Sequence, residues 1–301
     1  MTWFWFALAA PAVWGIVNHL DKFVIEKYFT GKGVGFFVIF TGLSGFLISV
    51  FVFIFNFDSI IIAPWAAIVI AITGAIFVAS YIPYMHAIEK EETSCVVPFY
   101  QMIPVFSYFL ALIFLGEKLS LQQIIGSVLI VGGAMLISLN VTTFHFKWRT
   151  FFLMMLSSLM TAITFLIFKF IAVEENFWGT VFWDYIGGAI FALLLFFFIP
   201  LYRKQLIFTI NKNKGAVLIL NFSAEILNII GRMLANFATL LVPVALVLVV
   251  NGFQPIIVLI YGIILTVFIP KWGKENIEKN FLIQKIVAIL IIFSGAYVLF
   301  T

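Results

Sequence analysis

The chain has 301 residues, of which 64% are hydrophobic and only 10% charged, with a formal net charge of +4. Soluble domains are about 45–50% apolar and about 25% charged, so this composition belongs to an integral membrane protein. The basic residues stand in short connections between apolar runs, which excludes a nucleic-acid surface, and a single cysteine, Cys95, excludes an internal disulfide or a cysteine metal cluster.

Apolar runs of about 18 residues or more predict transmembrane helices. Ten are found, at 3–20, 35–55, 62–87, 95–115, 121–139, 150–170, 178–200, 216–240, 242–268 and 282–300. The first begins at Trp3 with no basic n-region and no small-residue cleavage site, and reads as a retained helix. Connections are short, the longest being Tyr202–Lys214 and Lys271–Asn280, and no soluble domain fits. The fourth and ninth runs carry prolines (Pro98 and Pro104; Pro243 and Pro255), which free backbone carbonyls and permit bending.

Those prolines reveal an internal repeat. Setting Pro104 on Pro255 also sets Ala87 on Ala238, and LQQIIGSVLIVGGAMLI at 121–137 then matches IQKIVAILIIFSGAYVL at 283–299. At the front, Lys22-Phe23 matches Lys169-Phe170. The halves, 1–140 and 141–301, hold five helices each, and an odd number makes the second copy enter the membrane from the opposite face. The expected fold is therefore an all-α integral membrane domain of ten helices in two inverted five-helix repeats, an arrangement typical of alternating-access carriers. Of the 17 basic residues, 14 lie at the odd-numbered connections, two (Lys118 and Lys169) lie on the opposite side, and Arg232 lies within a helix. The positive-inside rule puts connections 1–2, 3–4, 5–6, 7–8 and 9–10 in the cytoplasm and both termini outside, with the cell membrane as the expected location.

The fourth run, VVPFYQMIPVFSYFLALIF, followed by LGEKLSLQQIIGSVLIVGGAMLI at 115–137, resembles the repeats of the drug/metabolite transporter superfamily, specifically the ten-helix EamA-type carriers. The most recognisable part is the glutamate, Glu117, then a short polar turn and a glycine-bearing helix. The second half departs from the pattern, with PKWGKENIEKN where a matching glutamate would stand. Many relatives have cytoplasmic termini, opposite to the charge count. The resemblance implies movement of a small metabolite through a central cavity by alternating access and says nothing of which metabolite.

The strongest candidate site is the eighth run, where Asn221, Glu225, Asn228, Arg232 and Asn236 follow at steps of 4, 3, 4 and 4 along one helix face. Each ionised group in a membrane helix costs about 2.5–3.5 kcal/mol on insertion scales, so two on one stripe need protein or water to face. Either Glu225 and Arg232 line a cavity, with Asn221 and Asn228 bonding substrate, or they form a structural pair across two turns, about 10.5 Å. The equivalent positions of the third run are Ile70, Gly74, Phe77 and Tyr81, which would supply a glycine and aromatic wall opposite.

The first run places Trp14, Asn18 and Asp21 on one face. There Asp21 and Lys22 read as a wetted helix end, and His19 is a candidate for proton coupling. Asp184, two turns into the seventh run, is a second coupling candidate that either pairs with Lys169 or Arg232 or faces the cavity. Beside the prolines, Tyr100 and Gln101 correspond to Asn251 and Gly252 and are candidate lining. Ser157, Thr161 and Thr164 read as packing hydroxyls, and Gly126 and Gly133 with Ala288 and Gly295 as small-residue stripes packing the fifth helix on the tenth, or a dimer. No P-loop, GxSxG or HExxH spacing is present, so neither an enzyme nor a metal or cofactor is expected.

The expected function is secondary transport of a small polar metabolite. A carboxylate and an arginine on one stripe suit a zwitterion such as an amino acid; a drug or organic cation would use Glu225 with aromatic walls. The other class is a non-transporting scaffold or lipid-handling accessory. Expected partners are a small-molecule substrate, membrane lipids and a coupling proton or cation, in a monomer or weak homodimer. The topology is tested by placing a cysteine at Lys204 in a Cys95→Ser background: an impermeant maleimide should spare it in intact cells and label it in inverted vesicles, and labelling of intact cells overturns the orientation.

Overall fold

The computed structural model describes residues 2–28, 33–88, 97–138, 148–212, 215–268 and 279–300. The loop residues Lys32, Lys90, Cys95, Lys147, Lys214, Lys271 and Lys274 lie outside this set. The described residues are all helical or connecting. The principal helices are α1 (Thr2–Tyr28), α2 (Val34–Phe55), α3 (Pro64–Ile88), α4 (Met102–Phe114), α5 (Leu121–Ser138), α6 (Trp148–Glu174), α7 (Phe177–Phe198), α8 (Pro200–Lys212), α9 (Ala216–Leu241), α10 (Val244–Val250), α11 (Gln254–Phe268) and α12 (Lys279–Phe300).

Among the described residues, seven stretches are long and apolar enough to cross a membrane: 2–21, 34–55, 64–87, 148–174, 177–198, 217–241 and 244–265. Three shorter apolar helices accompany them, Phe99–Phe114, Leu121–Leu136 and Ile283–Leu299. Large apolar side chains such as Phe55, Phe114, Phe198 and Phe268 point outward, as hydrocarbon contact allows.

The sequence expectation is corrected in two places. Tyr202–Lys214 is mostly helix, because Tyr202 and Leu206 bury against α2 and the Gly35 N–H donates to Gln205 Oε1 at 2.7 Å. The first helix continues past residue 20 to Tyr28, so Asp21 is not a helix end. Lys169, counted with the charges of the opposite side, lies inside α6, held by the carboxylate of Glu117 and by the Val242 carbonyl at 2.9 Å.

Both expected bends are breaks. A 3-10 segment over Val97–Gln101 precedes α4, and another over Asn251–Phe253 separates α10 from α11. Pro104 and Pro255 then fall in the first turn of the helix that follows, where no N–H is required of them. After α4, Gly116 takes the left-handed conformation (φ 64°), and the Glu117 N–H returns to the Ala111 carbonyl at 3.2 Å. That turn aims Glu117 back at the helix ends, where Oε2 also accepts the Val244 N–H at 2.9 Å. Ser120 and Gln123 then cap α5 reciprocally, at 2.9 and 3.2 Å.

Glycine sets the closest crossings. A Cβ on Gly74 or Gly187 would overlap the backbone of the opposite helix, at Asp184 and Ala71, so α3 and α7 touch backbone to backbone. On the far side, α5 meets α12 through Gly126 against Gly295 and Gly133 against Ala288. Ser157 and Ser158 donate to the carbonyls of Ser80 and Phe99 across helices, while Thr161 and Thr164 bond back within α6, the packing role expected of them. Gly187→Val should therefore force α3 from α7 and lower stability by about 1–3 kcal/mol or more, whereas Gly132→Val, with open space at its Cβ, should leave the melting temperature in detergent unchanged. Equal behaviour of the two variants refutes the crossing as the tight point.

Candidate substrate site

The stripe on α9 turns inward as its spacing requires, and its polar groups divide between two sets of partners. Arg232 is buried, with 4% of its surface exposed. Its Nη2 lies 3.0 Å from Oδ2 and 3.3 Å from Oδ1 of Asp184 on α7, a carboxylate that is itself enclosed. The guanidinium lies over the ring of Phe77 at 3.4 Å from the centroid, and Tyr185 stands 5.5 Å away. A buried cation is tolerated here because it has both an opposite charge and a π face.

Glu225 takes other partners. It accepts a hydrogen bond from the hydroxyl of Thr41 on α2 and one from Asn228 Nδ2 at 3.4 Å. The same amide donates to the Tyr81 hydroxyl at 3.0 Å. Trp14 on α1 donates its indole N–H to the Asn228 carbonyl at 3.4 Å and fills the space that a side chain on Gly231 would need. The two ionisable groups of the stripe are therefore not a pair. A zwitterion site needs Arg232 available to a substrate carboxylate, and Asp184 already occupies it.

These residues surround a small cavity lined by Thr41, Gly42, Gly74, Phe77, Val78, Asp184, Tyr185, Gly188, Glu225, Asn228, Ile229 and Arg232. The enclosed space is about 20 Å³, room for a single water. Both halves of the chain build it, α2 and α3 from the first and α7 and α9 from the second.

Other candidates lie around this centre or away from it. Asn221 is buried, but its amide returns to the Val217 carbonyl of its own helix at 2.8 Å, and it does not line the cavity. Tyr81, Tyr84 and Tyr100 form a chain of aromatic contacts, with centroids 6.3 Å and then 5.0 Å apart. Asp21 lies within electrostatic reach of Tyr84, Tyr81 and Glu225. Asn18 is half-buried on α1, and Gln101 is buried beside the break before α4. His19 Nε2 is 3.0 Å from the Val258 carbonyl, a contact that ties α1 to α11, and His19 does not line the cavity. Asn251 sits in the second break, with Oδ1 buried and without a hydrogen-bond partner among the described residues. Of the two residues put forward for coupling, Asp184 is the one in the cavity.

Sequence reasoning missed Thr41, Gly42, Tyr185 and Gly188. A signal for the first two was present: Thr41-Gly42 and Ser44-Gly45 interrupt a helix otherwise dense in phenylalanine. Tyr185 had none, because nothing in the sequence distinguishes a cavity tyrosine from a packed one.

The EamA-like transporter family matches residues 1–139 of the chain. No curated protein matches it. Among solved structures 27 chains match. One crystal structure of a protein superposes with a TM-score of 0.69 over 99% of this chain and 96% of its own, at 14% identity. That is a likeness of fold. The Arg232–Asp184 pair gives a direct stability test. Arg232→Met leaves a buried carboxylate unpaired and should cost about 3–5 kcal/mol. Adding Asp184→Asn should recover part of the lost melting temperature, and a double variant no more stable than the single one refutes the pairing.

Proposed function

We propose that the protein is a secondary carrier of a small polar metabolite, because residues 1–139 match the EamA-like transporter family, part of the drug/metabolite transporter superfamily. It works by alternating access and needs no ATP. All ten apolar segments cross the membrane as two inverted repeats of five, with the basic connections in the cytoplasm. The observation that carries this reading is the cavity at the meeting of the halves, where a carboxylate, an amide and a salt bridge sit among apolar helices.

Reciprocal contacts support the repeat. The sequence alignment exchanges Gly126 with Ala288 and Gly133 with Gly295. Gly126 packs on Gly295 and Gly133 on Ala288, so each contact maps onto the other. The two helix breaks are likewise exchanged by the alignment.

An asymmetry supports the mechanism. The alignment pairs α3 with α9 and α2 with α7, so the α3–α7 crossing has α9–α2 as its counterpart. The first is a broad backbone contact; the second is a short one held by Glu225 and Thr41. Alternating access exchanges two such arrangements. The almost filled cavity suits an occluded stage of that cycle, with α9 parting from α2 to admit substrate.

Reconstitution into liposomes and a counterflow survey of amines, amino acids and organic acids tests the reading. Glu225→Gln should lower flux of the transported compound at least tenfold, and Arg232→Met should lower it through loss of the folded cavity. Normal flux through both variants removes the site from the mechanism; a wild type that moves no compound removes the carrier.

A further inference from the structure

The chemistry of the cavity narrows the substrate class once its charges are assigned. Two acidic and one basic side chain meet in or against the cavity itself, Glu225, Asp184 and Arg232. Asp184 and Arg232 neutralise one another within a contact of 3.0 Å. Glu225 is left with neutral partners only, the Thr41 hydroxyl and the Asn228 amide. Asp21, one helix away on α1, lies close enough to Glu225 to interact with it electrostatically. Among the described residues neither carboxylate has a basic partner. Two other basic groups are engaged elsewhere: His19 is held at the Val258 carbonyl, and Lys169 is held by Glu117 at the far end of α6.

Aromatic rings stand beside Glu225 and its partner Asn228. The Tyr81 hydroxyl accepts from the Asn228 amide, Tyr84 lies between Tyr81 and Tyr100, and Trp14 packs on Gly231 and donates to the Asn228 carbonyl. Aromatic rings around unneutralised carboxylates attract a cation through both the full charge and the ring quadrupole. A carboxylate-bearing ligand meets the reverse conditions, because the cavity's cation is already engaged by Asp184 and covered by Phe77.

We infer that the central site takes an organic cation, a compound with one ammonium or quaternary ammonium group on an apolar body, in preference to a zwitterion or an anion. The charge lies at Glu225, and the body lies against the rings beside its partner Asn228, Tyr81 and Trp14. Entry displaces Thr41 from Glu225, since the closed cavity holds only about 20 Å³. The inference rests on the proposal that this cavity is the substrate site, although it concerns binding and not movement.

Three probes that share a phenyl body and differ in charge separate the classes: phenethylamine, phenylalanine and phenylpropionate. Equilibrium binding to the purified full-length protein in detergent, followed by tryptophan fluorescence and by displacement of radiolabelled tetraphenylphosphonium, should rank phenethylamine at least tenfold above phenylalanine, with phenylpropionate not bound. Glu225→Gln should weaken the cation at least tenfold, while Glu225→Asp, which keeps the charge, should retain the ranking and so control for folding. Asp21→Asn should weaken the cation less. Phenylalanine bound as well as phenethylamine overturns the inference, as does a Glu225→Gln variant that binds the cation normally, or a wild type that binds neither cation. Cation-selective binding with no flux in liposomes leaves the inference standing and sinks the carrier; flux of a zwitterion or anion with no cation preference does the opposite.

Discussion

A charge inside an apolar bundle has to be answered by another charge, and the Arg232–Asp184 contact is where this protein meets that demand. The contact holds α9 against α7 and turns the guanidinium onto Phe77, which belongs to α3. Three helices from both halves are thus fixed around one ion pair. The same contact decides the chemistry left over. With Arg232 consumed, Glu225 has only a hydroxyl and an amide for company, and the cavity beside it holds a carboxyl group with no basic partner among the described residues.

The ion pair is placed by a crossing of small residues. Glycines at 74, 187 and 188 let α3 and α7 meet at backbone distance, which brings Asp184 to the level of Phe77 and Arg232. In the proposed repeat Gly74 corresponds to Glu225, and setting Lys22-Phe23 on Lys169-Phe170 makes Thr41 correspond to Gly188. Gly74 lies against Gly188, and Glu225 is hydrogen-bonded to Thr41. Equivalent positions therefore meet in both halves, once as glycine on glycine and once as carboxylate on hydroxyl. The first contact excludes everything; the second admits a competitor for its hydrogen bond.

A second ionic contact, at the far end of α6, joins the halves differently. Glu117 accepts from Lys169 and from the Val244 N–H, and Lys169 also reaches the Val242 carbonyl. The left-handed Gly116 is what returns Glu117 to that position. This network satisfies a helix N-terminus and two charges together, and it lies apart from the cavity. It binds the α4–α5 turn to the α9–α10 turn.

Membrane class, the apolar helices, the breaks beside Pro104 and Pro255 and the inward stripe on α9 were all legible in the sequence, because each follows from local composition or helical period. Helix α8 was not, because its polar composition reads as a loop until Tyr202 and Leu206 find α2. The extension of α1 was hidden for the same reason, and with it the inward position of Asp21. The sequence by itself determined that Glu225 and Arg232 share a face, since a helix repeats every 3.6 residues whatever surrounds it. Only the tertiary structure decided that they do not share a partner. Pairing depends on which helices the glycines let approach, and a spacing along one helix contains no information about that distance.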